Sequence, residues 1–334
     1  MLNINDEFIY NLKEMCRLCS VSGHEQQLLD FIFSKLPSNC CHEFDNLGNL
    51  IVKKNSANSA NSNYKKILII SPIDEVGLLI KSIESDGVLK FLNIGEIAPC
   101  ALVGSVVEIN GFCGVIGTIP PHLQSDSEKN SIPSIENMFI DLGARNQKQA
   151  EAKVNLGDVA TFKPNFVRFG ENRISAKSIN SKIGCAIQLW LLQNLNECEF
   201  YCAFLTKSKV SSAGAATIAN LVKPDIAIIL NSFEEQLENK KSNFKLTLNP
   251  ATNKTIFYSA TKIANQNNMV FEFEAANYVH KMEQLIMQTQ TGVKTLNLSV
   301  PCRLINSQCS NLSLNHTLQT FAFLENLIPT LTKK

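Results

Sequence analysis

The chain begins with apolar positions at helical spacing and continues into short apolar runs of strand length. Over 6–19 the apolar residues recur every three or four positions, which predicts an amphipathic helix. A second helix is expected after Ser22, because Ser22 and Glu25 have the spacing of a capping box, with Ser at the N-cap and Glu at N3. The run ILII at 67–70 is typical of a strand that is buried on both faces.

The pattern changes between Val76 and about Phe162, where short β-type runs follow one another between Gly, Asn and Pro residues. After about residue 170, strands and helices alternate, with a strongly apolar helix predicted over 182–195. Such alternation indicates an α/β sheet that is covered on both faces. The chain is therefore predicted to form a discontinuous α/β domain from residues 1–75 and 166–334, interrupted by a β-rich domain over 76–165.

Candidate functional residues lie where the strands of the predicted sheet end. In open α/β sheets, ligands bind at the carboxyl ends of the strands. We therefore expect a site where five segments meet: Ser71–Asp74, Ser178–Ser181, Thr206–Lys209, Asn231–Ser232 and Pro301–Asn306.

Composition narrows the functional classes. The 334 residues include 31 basic and 30 acidic side chains, and this balance gives no general attraction to nucleic acid or to an anionic membrane. No apolar run approaches the roughly 20 residues of a membrane span. Eleven cysteines, an odd number, favour reduced thiols, and no signal-peptide pattern is visible, so we expect a cytoplasmic protein. The polar stretch NSANSANSN at 55–63 is expected to form an exposed loop.

Six motifs occur in order along nearly the whole chain. They are VSGHE (21–25), DNLGNL (45–50), SPIDEVG (71–77), GVIGTIPPHL (114–123), FIDLGA (139–144) and GDVATF (157–162). Together they resemble the tetrahedral aminopeptidase family, which includes glutamyl and deblocking aminopeptidases and members labelled endoglucanases. The resemblance implies a phosphorylase- or peptidase-like α/β catalytic domain with an inserted small, barrel-like β domain that mediates dimerisation. It also implies that dimers join into a hollow dodecamer.

Members of that family remove N-terminal residues from peptides with two divalent metals, zinc or cobalt, bridged by one carboxylate. Such a site requires histidine and carboxylate ligands and a general base for the bridging water. SPIDEVG resembles the family's AHMDEIG, so the first metal-ligating histidine corresponds to Pro72, whereas Asp74, which would orient that histidine, is retained. SINSKIGC at 178–185 resembles ALDDRAGC, so the bridging Asp corresponds to Asn180.

The remaining positions depart from the family in the same way. KSKVS at 207–211 aligns with QEEVG, which places Ser208 at the general base and Lys209 at a metal-ligating Glu. Asn231 corresponds to a ligating Asp, and Asn306 corresponds to the last ligating histidine, because RLINSQ resembles RYIHSP. All five ligands and the base are thus replaced, and a protonated lysine is no metal ligand. We expect no metal, no other cofactor and no retained catalytic residue.

The main hypothesis is a catalytically silent relative that keeps the scaffold and the oligomer and has either a structural role or a binding role, with a small peptide or other small ligand as the bound molecule. The first alternative is an active aminopeptidase, or another peptide or glycan hydrolase, with a rearranged metal site. Glu234 with Glu235, or His280 with Glu283, could supply substitute ligands, although a solvated acidic loop and a polar helix face are the simpler interpretations. The second alternative is a structural partner that co-assembles with an active paralogue.

Two further expectations concern side chains near the site. Cys185 and Cys302 lie close to it, but no histidine or acid is predicted beside either thiol, so neither is assigned as a nucleophile. Asp74 keeps its carboxylate without a metal to compensate it, and such a group should face a cation. We therefore expect Lys209 Nζ to form a salt bridge with Asp74 or Glu75.

Overall fold

The computed structural model describes residues 6–56, 64–120, 132–236 and 242–333. Most of the predicted loop at 55–63 and the end of the motif GVIGTIPPHL lie outside these residues. The helices are α1 (Asp6–Arg17), α2 (Gln26–Ser34), α3 (Gln147–Glu151), α4 (Ile179–Asn194), α5 (Ala213–Val222), α6 (Lys254–Gln266), α7 (Lys281–Met287) and α8 (Leu314–Thr332). The first nine strands are β1 (Cys40–Phe44), β2 (Leu50–Lys54), β3 (Ile67–Pro72), β4 (Gly77–Ile83), β5 (Leu89–Ile94), β6 (Val106–Ile109), β7 (Phe112–Gly117), β8 (Phe139–Asp141) and β9 (Val159–Phe162). The later strands are β10 (Phe166–Phe169), β11 (Arg173–Ala176), β12 (Phe200–Leu205), β13 (Ile226–Glu234), β14 (Phe244–Leu248), β15 (Phe271–Ala275), β16 (Lys294–Arg303) and β17 (Asn311–Ser313).

A large mixed sheet forms the main layer of the molecule. Its strand order is β1-β2-β12-β3-β13-β16-β17-β11-β10, with β14 also paired to β16 and β15 paired to β14. The central strands β12, β3, β13 and β16 run parallel to one another. Parallel strands that are covered by helices on both faces have continuous apolar sequences, which is why the run ILII identified β3 correctly. The run AIIL at 227–230, in β13, has the same character.

Side chains of the central strands alternate between two cores. On β3, Ile67 and Ile69 point into the larger core, which α1, α4, α6 and α8 cover. Leu68 and Ile70 point to the opposite face, where α5 and α7 pack. This alternation follows from the two-residue period of a strand. The predicted α/β sheet with helices on both faces is confirmed.

The segment between β3 and β10 forms a closed six-stranded barrel. Its order is β4-β5-β8-β7-β6-β9, and it has its own apolar core, which includes Leu78, Val107 and Ile140. The barrel strands run from Gly77 to Phe162, inside the 76–165 segment assigned to the inserted domain. The prediction that this segment is rich in β-strands is confirmed, whereas its role in dimerisation stays a prediction.

Between β13 and β16 the sequence indicated only the helix at His280 and Glu283, which corresponds to α7. Strands β14 and β15 and helices α6 and α7 occupy this stretch. Cys40 and Cys41 lie in β1. All eleven cysteines fall within the described residues and all are free thiols. No helix in the described part of the chain is long and apolar enough to cross a membrane.

Candidate functional site

A small cavity lies at the carboxyl edge of the sheet, where the five predicted segments meet. Its volume is about 140 Å³. The five positions that correspond to the family's metal ligands all line it: Pro72, Asn180, Lys209, Asn231 and Asn306. The rule that ligand sites lie at strand ends therefore located this cavity from sequence alone.

Helix α4 approaches β3 closely at the cavity. A Cβ atom on Gly184 would lie 2.8 Å from Ser71 Cβ and 3.3 Å from the Leu230 carbonyl oxygen, so only glycine fits without a shift. This contact fixes the first turn of α4, which contains Asn180 and Ser181, against the ends of β3 and β13. The lining residues of the helix are thus positioned by backbone packing.

Asp74 is fully buried beside the cavity and receives three hydrogen bonds. The hydroxyl of Ser22 donates to it at 2.5 Å, and the hydroxyl of Ser208 donates to its other oxygen. The backbone N–H of Lys209 donates to Asp74 Oδ2 at 2.7 Å. Ser208, at the position of the general base, therefore serves as a hydrogen-bond donor to Asp74.

The expected salt bridge of Lys209 is wrong. Among the described residues, no carboxylate lies within ion-pair distance of its ammonium group, because the oxygens of Asp74 are already taken by two hydroxyls and a backbone N–H. Glu75 is occupied by another lysine. Burial lowers the pKa of Lys209, and the carboxylates of Asp74 and Glu96 only partly oppose that effect.

The lysine that pairs with Glu75 is Lys177, and both side chains are buried. Lys177 Nζ lies 2.7 and 3.0 Å from the two carboxylate oxygens and also donates to Thr161 Oγ1. Burial by itself would raise the pKa of Glu75, but the ammonium groups of Lys177 and Lys182 lower it to about 2. The sequence analysis did not identify Lys177 or Lys182 as partners of a buried acid. The available signal was the position of these lysines near the start of an otherwise apolar helix.

A buried Ser–Lys contact is also present. Lys182 Nζ donates to the Ser20 hydroxyl and, at 2.6 Å, to the Ile73 carbonyl oxygen. Ser–Lys pairs serve as nucleophile and base in some hydrolases. Here Ser20 and Lys182 are both fully buried and do not line the cavity, so the contact ties the chain segments together.

The predicted capping box of α2 is wrong. The N-cap residue is Glu25, which makes no side-chain cap, and Ser22 is used by Asp74. The carboxylate of Glu25 instead accepts the backbone N–H groups of Gly23 at 2.9 Å and of Lys207 at 2.7 Å. A long-range contact has displaced the local one, and it holds the loop that carries Ser208 and Lys209.

The acids considered as substitute ligands are engaged elsewhere. Glu235 forms ion pairs with Arg173 at 3.0 Å and Arg303 at 2.7 Å. Glu234 accepts the backbone N–H groups of Leu304 and Ile305. The interpretation as a solvated acidic loop is therefore wrong for Glu235, and neither carboxylate lines the cavity.

Glu283 and His280 do not form a metal pair. Glu283 is fully buried and accepts hydrogen bonds from Asn249 at 2.7 Å, Asn297 at 2.6 Å and Thr295 at 2.8 Å. His280 precedes α7 and packs edge-on against Tyr278. The simpler interpretation as a polar helix face is also wrong, because Glu283 anchors α7 to β16 from inside the protein.

The cysteines near the site are poor nucleophiles. Burial raises the pKa of Cys185 to about 11 and raises that of Cys302 well above its usual range. Cys185 Sγ contacts the Pro72 carbonyl oxygen at 3.3 Å. Since the thiolate is the reactive form, both thiols are inert at neutral pH.

The lining does not fit the two divalent metals that the resemblance implies. Such a site requires carboxylate, imidazole or thiolate ligands. In this chain, the five positions that correspond to metal ligands hold a proline, three asparagines with neutral amides and a lysine. Across the residues described by the structure, no group of three His, Cys, Asp or Glu side chains is arranged to hold a metal ion.

Comparison with known proteins places the chain in a family. The profile of the family described as M42 glutamyl aminopeptidase matches residues 48–323, and the chain belongs to this family. It is 31% identical to FrvX of Escherichia coli (strain K12) over 231 residues, which are 66% of this chain and 63% of FrvX. The chain thus spans about 63% of the length of that relative.

Solved structures show the same architecture. The TET aminopeptidase of Thaumarchaeota archaeon SCGC AB-539-E09 superposes with a TM-score of 0.90 at 21% identity, covering 98% of both chains. The TET1 peptidase of Pyrococcus horikoshii has a TM-score of 0.83 at 25% identity, covering 96% of this chain and 98% of its own, and assembles into a tetrahedron or a large octahedral shell. A further similar structure, PhTET1-12s, is a dodecamer. The predicted family and fold are therefore confirmed.

Proposed function

We propose that this chain is a catalytically silent member of the M42 family that keeps the peptidase scaffold and uses the cavity at the sheet edge to bind a small ligand. The observation that carries the proposal is the chemistry of the five lining positions. Proline, asparagine and lysine provide neither a bridging carboxylate nor a ligating imidazole. Ser208 has no carboxylate to act as general base, and its hydroxyl is bound to Asp74.

The test is to combine metal content with hydrolysis. The purified chain is incubated with zinc or cobalt, desalted and assayed by elemental analysis and with aminoacyl-anilide substrates, with an active TET peptidase treated in parallel. We expect no stoichiometric metal and no hydrolysis. Two metal equivalents per chain together with metal-dependent hydrolysis would overturn the proposal and favour a rearranged active site.

Restoring one ligand offers a second check. Asn180→Asp returns the bridging carboxylate but leaves the other four positions unchanged. A bridge without its terminal ligands and base does not assemble a two-metal centre. We expect no hydrolysis by this variant, and measurable metal-dependent turnover would show that the remaining donors suffice.

We also propose that the chain self-associates through its barrel. Similar TET structures are oligomeric, and the six described barrel strands of this chain form a closed barrel. Sedimentation at micromolar concentration should give a species larger than the 37.0 kDa chain, as a dimer or dodecamer. A monomer alone under these conditions would refute self-association without affecting the proposal about activity.

A further inference from the structure

The cavity at the sheet edge is lined by Lys209, whose ammonium group forms no ion pair with a carboxylate of the described residues. Among the described residues that line it, Lys209 is the one charged side chain. Asp74, the nearest buried acid, directs its oxygens to Ser22, Ser208 and the backbone of Lys209. A cavity of this kind disfavours metal cations and cationic N-termini, and it favours anions.

The first turn of α4 adds to the positive potential. Asn180 and Ser181 are the second and third residues of this 16-residue helix, and its first turn contains no acidic residue. Both residues line the cavity. The backbone N–H groups of Ser181 and Lys182 already donate to the Ser178 carbonyl oxygen, at 2.9 and 3.1 Å. The start of the helix therefore contributes its partial positive charge, which favours a bound oxyanion.

One lining residue, Asn180, has an unsatisfied side-chain atom that indicates a specific feature of the ligand. Asn180 is 5% exposed, and its Nδ2 donates to Asn306 Oδ1 at 3.3 Å. Its Oδ1 is buried and has no hydrogen-bond partner. Leaving a buried acceptor unpaired destabilises a protein, so this oxygen is suited to receive an O–H or N–H group from a ligand.

The size of the cavity limits the ligand. Pockets for drug-sized molecules are typically about 300–1,000 Å³, whereas this cavity is about 140 Å³. It accommodates a group of a few heavy atoms, and a peptide could place no more than one end in it.

We propose that the cavity binds a small oxyanion that also carries an O–H or N–H group. Lys209 and the start of α4 would hold the oxyanion, and Asn180 Oδ1 would accept the hydrogen bond. Hydrogen phosphate and a 2-hydroxy carboxylate share this chemistry. The inference rests on the proposed function, because it takes the cavity to hold a ligand in place of metals.

Two matched pairs of probes test the proposal by calorimetric titration of the full chain at neutral pH. Hydrogen phosphate is compared with sulfate, and glycolate with acetate; only the first member of each pair carries an O–H group. At least one first member should bind one per chain, about fivefold or more tighter than its partner. The pair that shows the difference identifies the ligand as phosphate-like or carboxylate-like. Absence of binding by both first members, or equal binding within both pairs, overturns the proposal.

Variants locate the site. Lys209→Met should weaken binding about tenfold or more, because a charge-assisted hydrogen bond is lost. Lys207→Met is the matched control, since Lys207 Nζ is exposed and donates to the Leu47 carbonyl oxygen outside the cavity. Asn180→Ala should still bind the anion but should no longer bind the probe that carries an O–H group more tightly than its partner without one. Unchanged affinity in Lys209→Met overturns the proposal, as does an equal loss in Lys207→Met.

Failure of this proposal is distinguishable from failure of the proposed function. The elemental analysis reports metal independently of the titrations. Two metal equivalents per chain would refute the proposal that this chain is a catalytically silent member of the family. A metal-free chain that binds neither phosphate nor glycolate would refute only the oxyanion site.

Discussion

The backbone N–H of Lys209 donates to Asp74 Oδ2 at 2.7 Å, and this contact fixes the loop after β12. Glu25 holds the same loop from the other side by accepting the backbone N–H of Lys207 at 2.7 Å. Both acids belong to motifs that resemble the family's, VSGHE and SPIDEVG. Two protein carboxylates therefore position the loop that would present a general base and a metal ligand.

Asp74→Asn should destabilise the protein. An asparagine has one acceptor oxygen, so at least one of the donors from Ser22, Ser208 and Lys209 loses its partner in a fully buried place. We expect the free energy of unfolding to fall by about 1–3 kcal/mol in urea denaturation. Asp86→Asn is the control, because Asp86 also accepts a backbone N–H but is exposed. Equal effects of the two variants would contradict the assignment.

Lys177→Ala should be among the most destabilising substitutions. It leaves the buried carboxylate of Glu75 without its ion-pair partner, and breaking such a pair costs about 3–5 kcal/mol. Lys53→Ala removes a half-exposed pair with Glu199 and should cost no more than about 1 kcal/mol. Thermal and urea unfolding of the two variants measure this difference, and a small effect of Lys177→Ala would show that Glu75 finds other compensation.

Acid should weaken the protein through Glu75. Its pKa is about 2 in the folded state against an ordinary value of 4.5, so the folded state favours the charged form. The stabilisation is complete above pH 4.5 and is lost as the pH falls from 4.5 towards 2. A double variant, Glu75→Gln with Lys177→Met, should show a shallower decline of melting temperature over this range. Parallel curves for the two proteins would contradict the prediction.

Lys209→Met should not destabilise the fold. Burial lowers the pKa of Lys209, and the ammonium group has no carboxylate partner, so removing the charge removes a desolvation cost. We expect the free energy of unfolding to stay within about 0.5 kcal/mol or to rise. A fall of about 3 kcal/mol or more in the free energy of unfolding would contradict this prediction and would indicate that Lys209 does form a buried salt bridge.

The order of elements and the position of the cavity followed from sequence pattern. Continuous apolar runs marked β3 and β13, because strands covered on both faces need no polar positions. The general rule for parallel sheets then placed the ends of five segments at one edge, and Pro72, Asn180 and Asn306 do meet there.

Partners of the buried charges were decided only by tertiary structure. Ser22 and Glu25 have the spacing of a capping box, yet they bind Asp74 and the backbone of Lys207, because burial makes an unpaired carboxylate or N–H more costly than an uncapped helix end. Sequence spacing reports neighbours three or four residues apart, whereas Glu75 and Lys177 are 102 residues apart and meet only when β3 and β11 enter the same sheet. The sequence by itself determined which chain segments meet at the cavity. The tertiary structure decided which charged side chains form ion pairs, and it left Lys209 without one among the described residues.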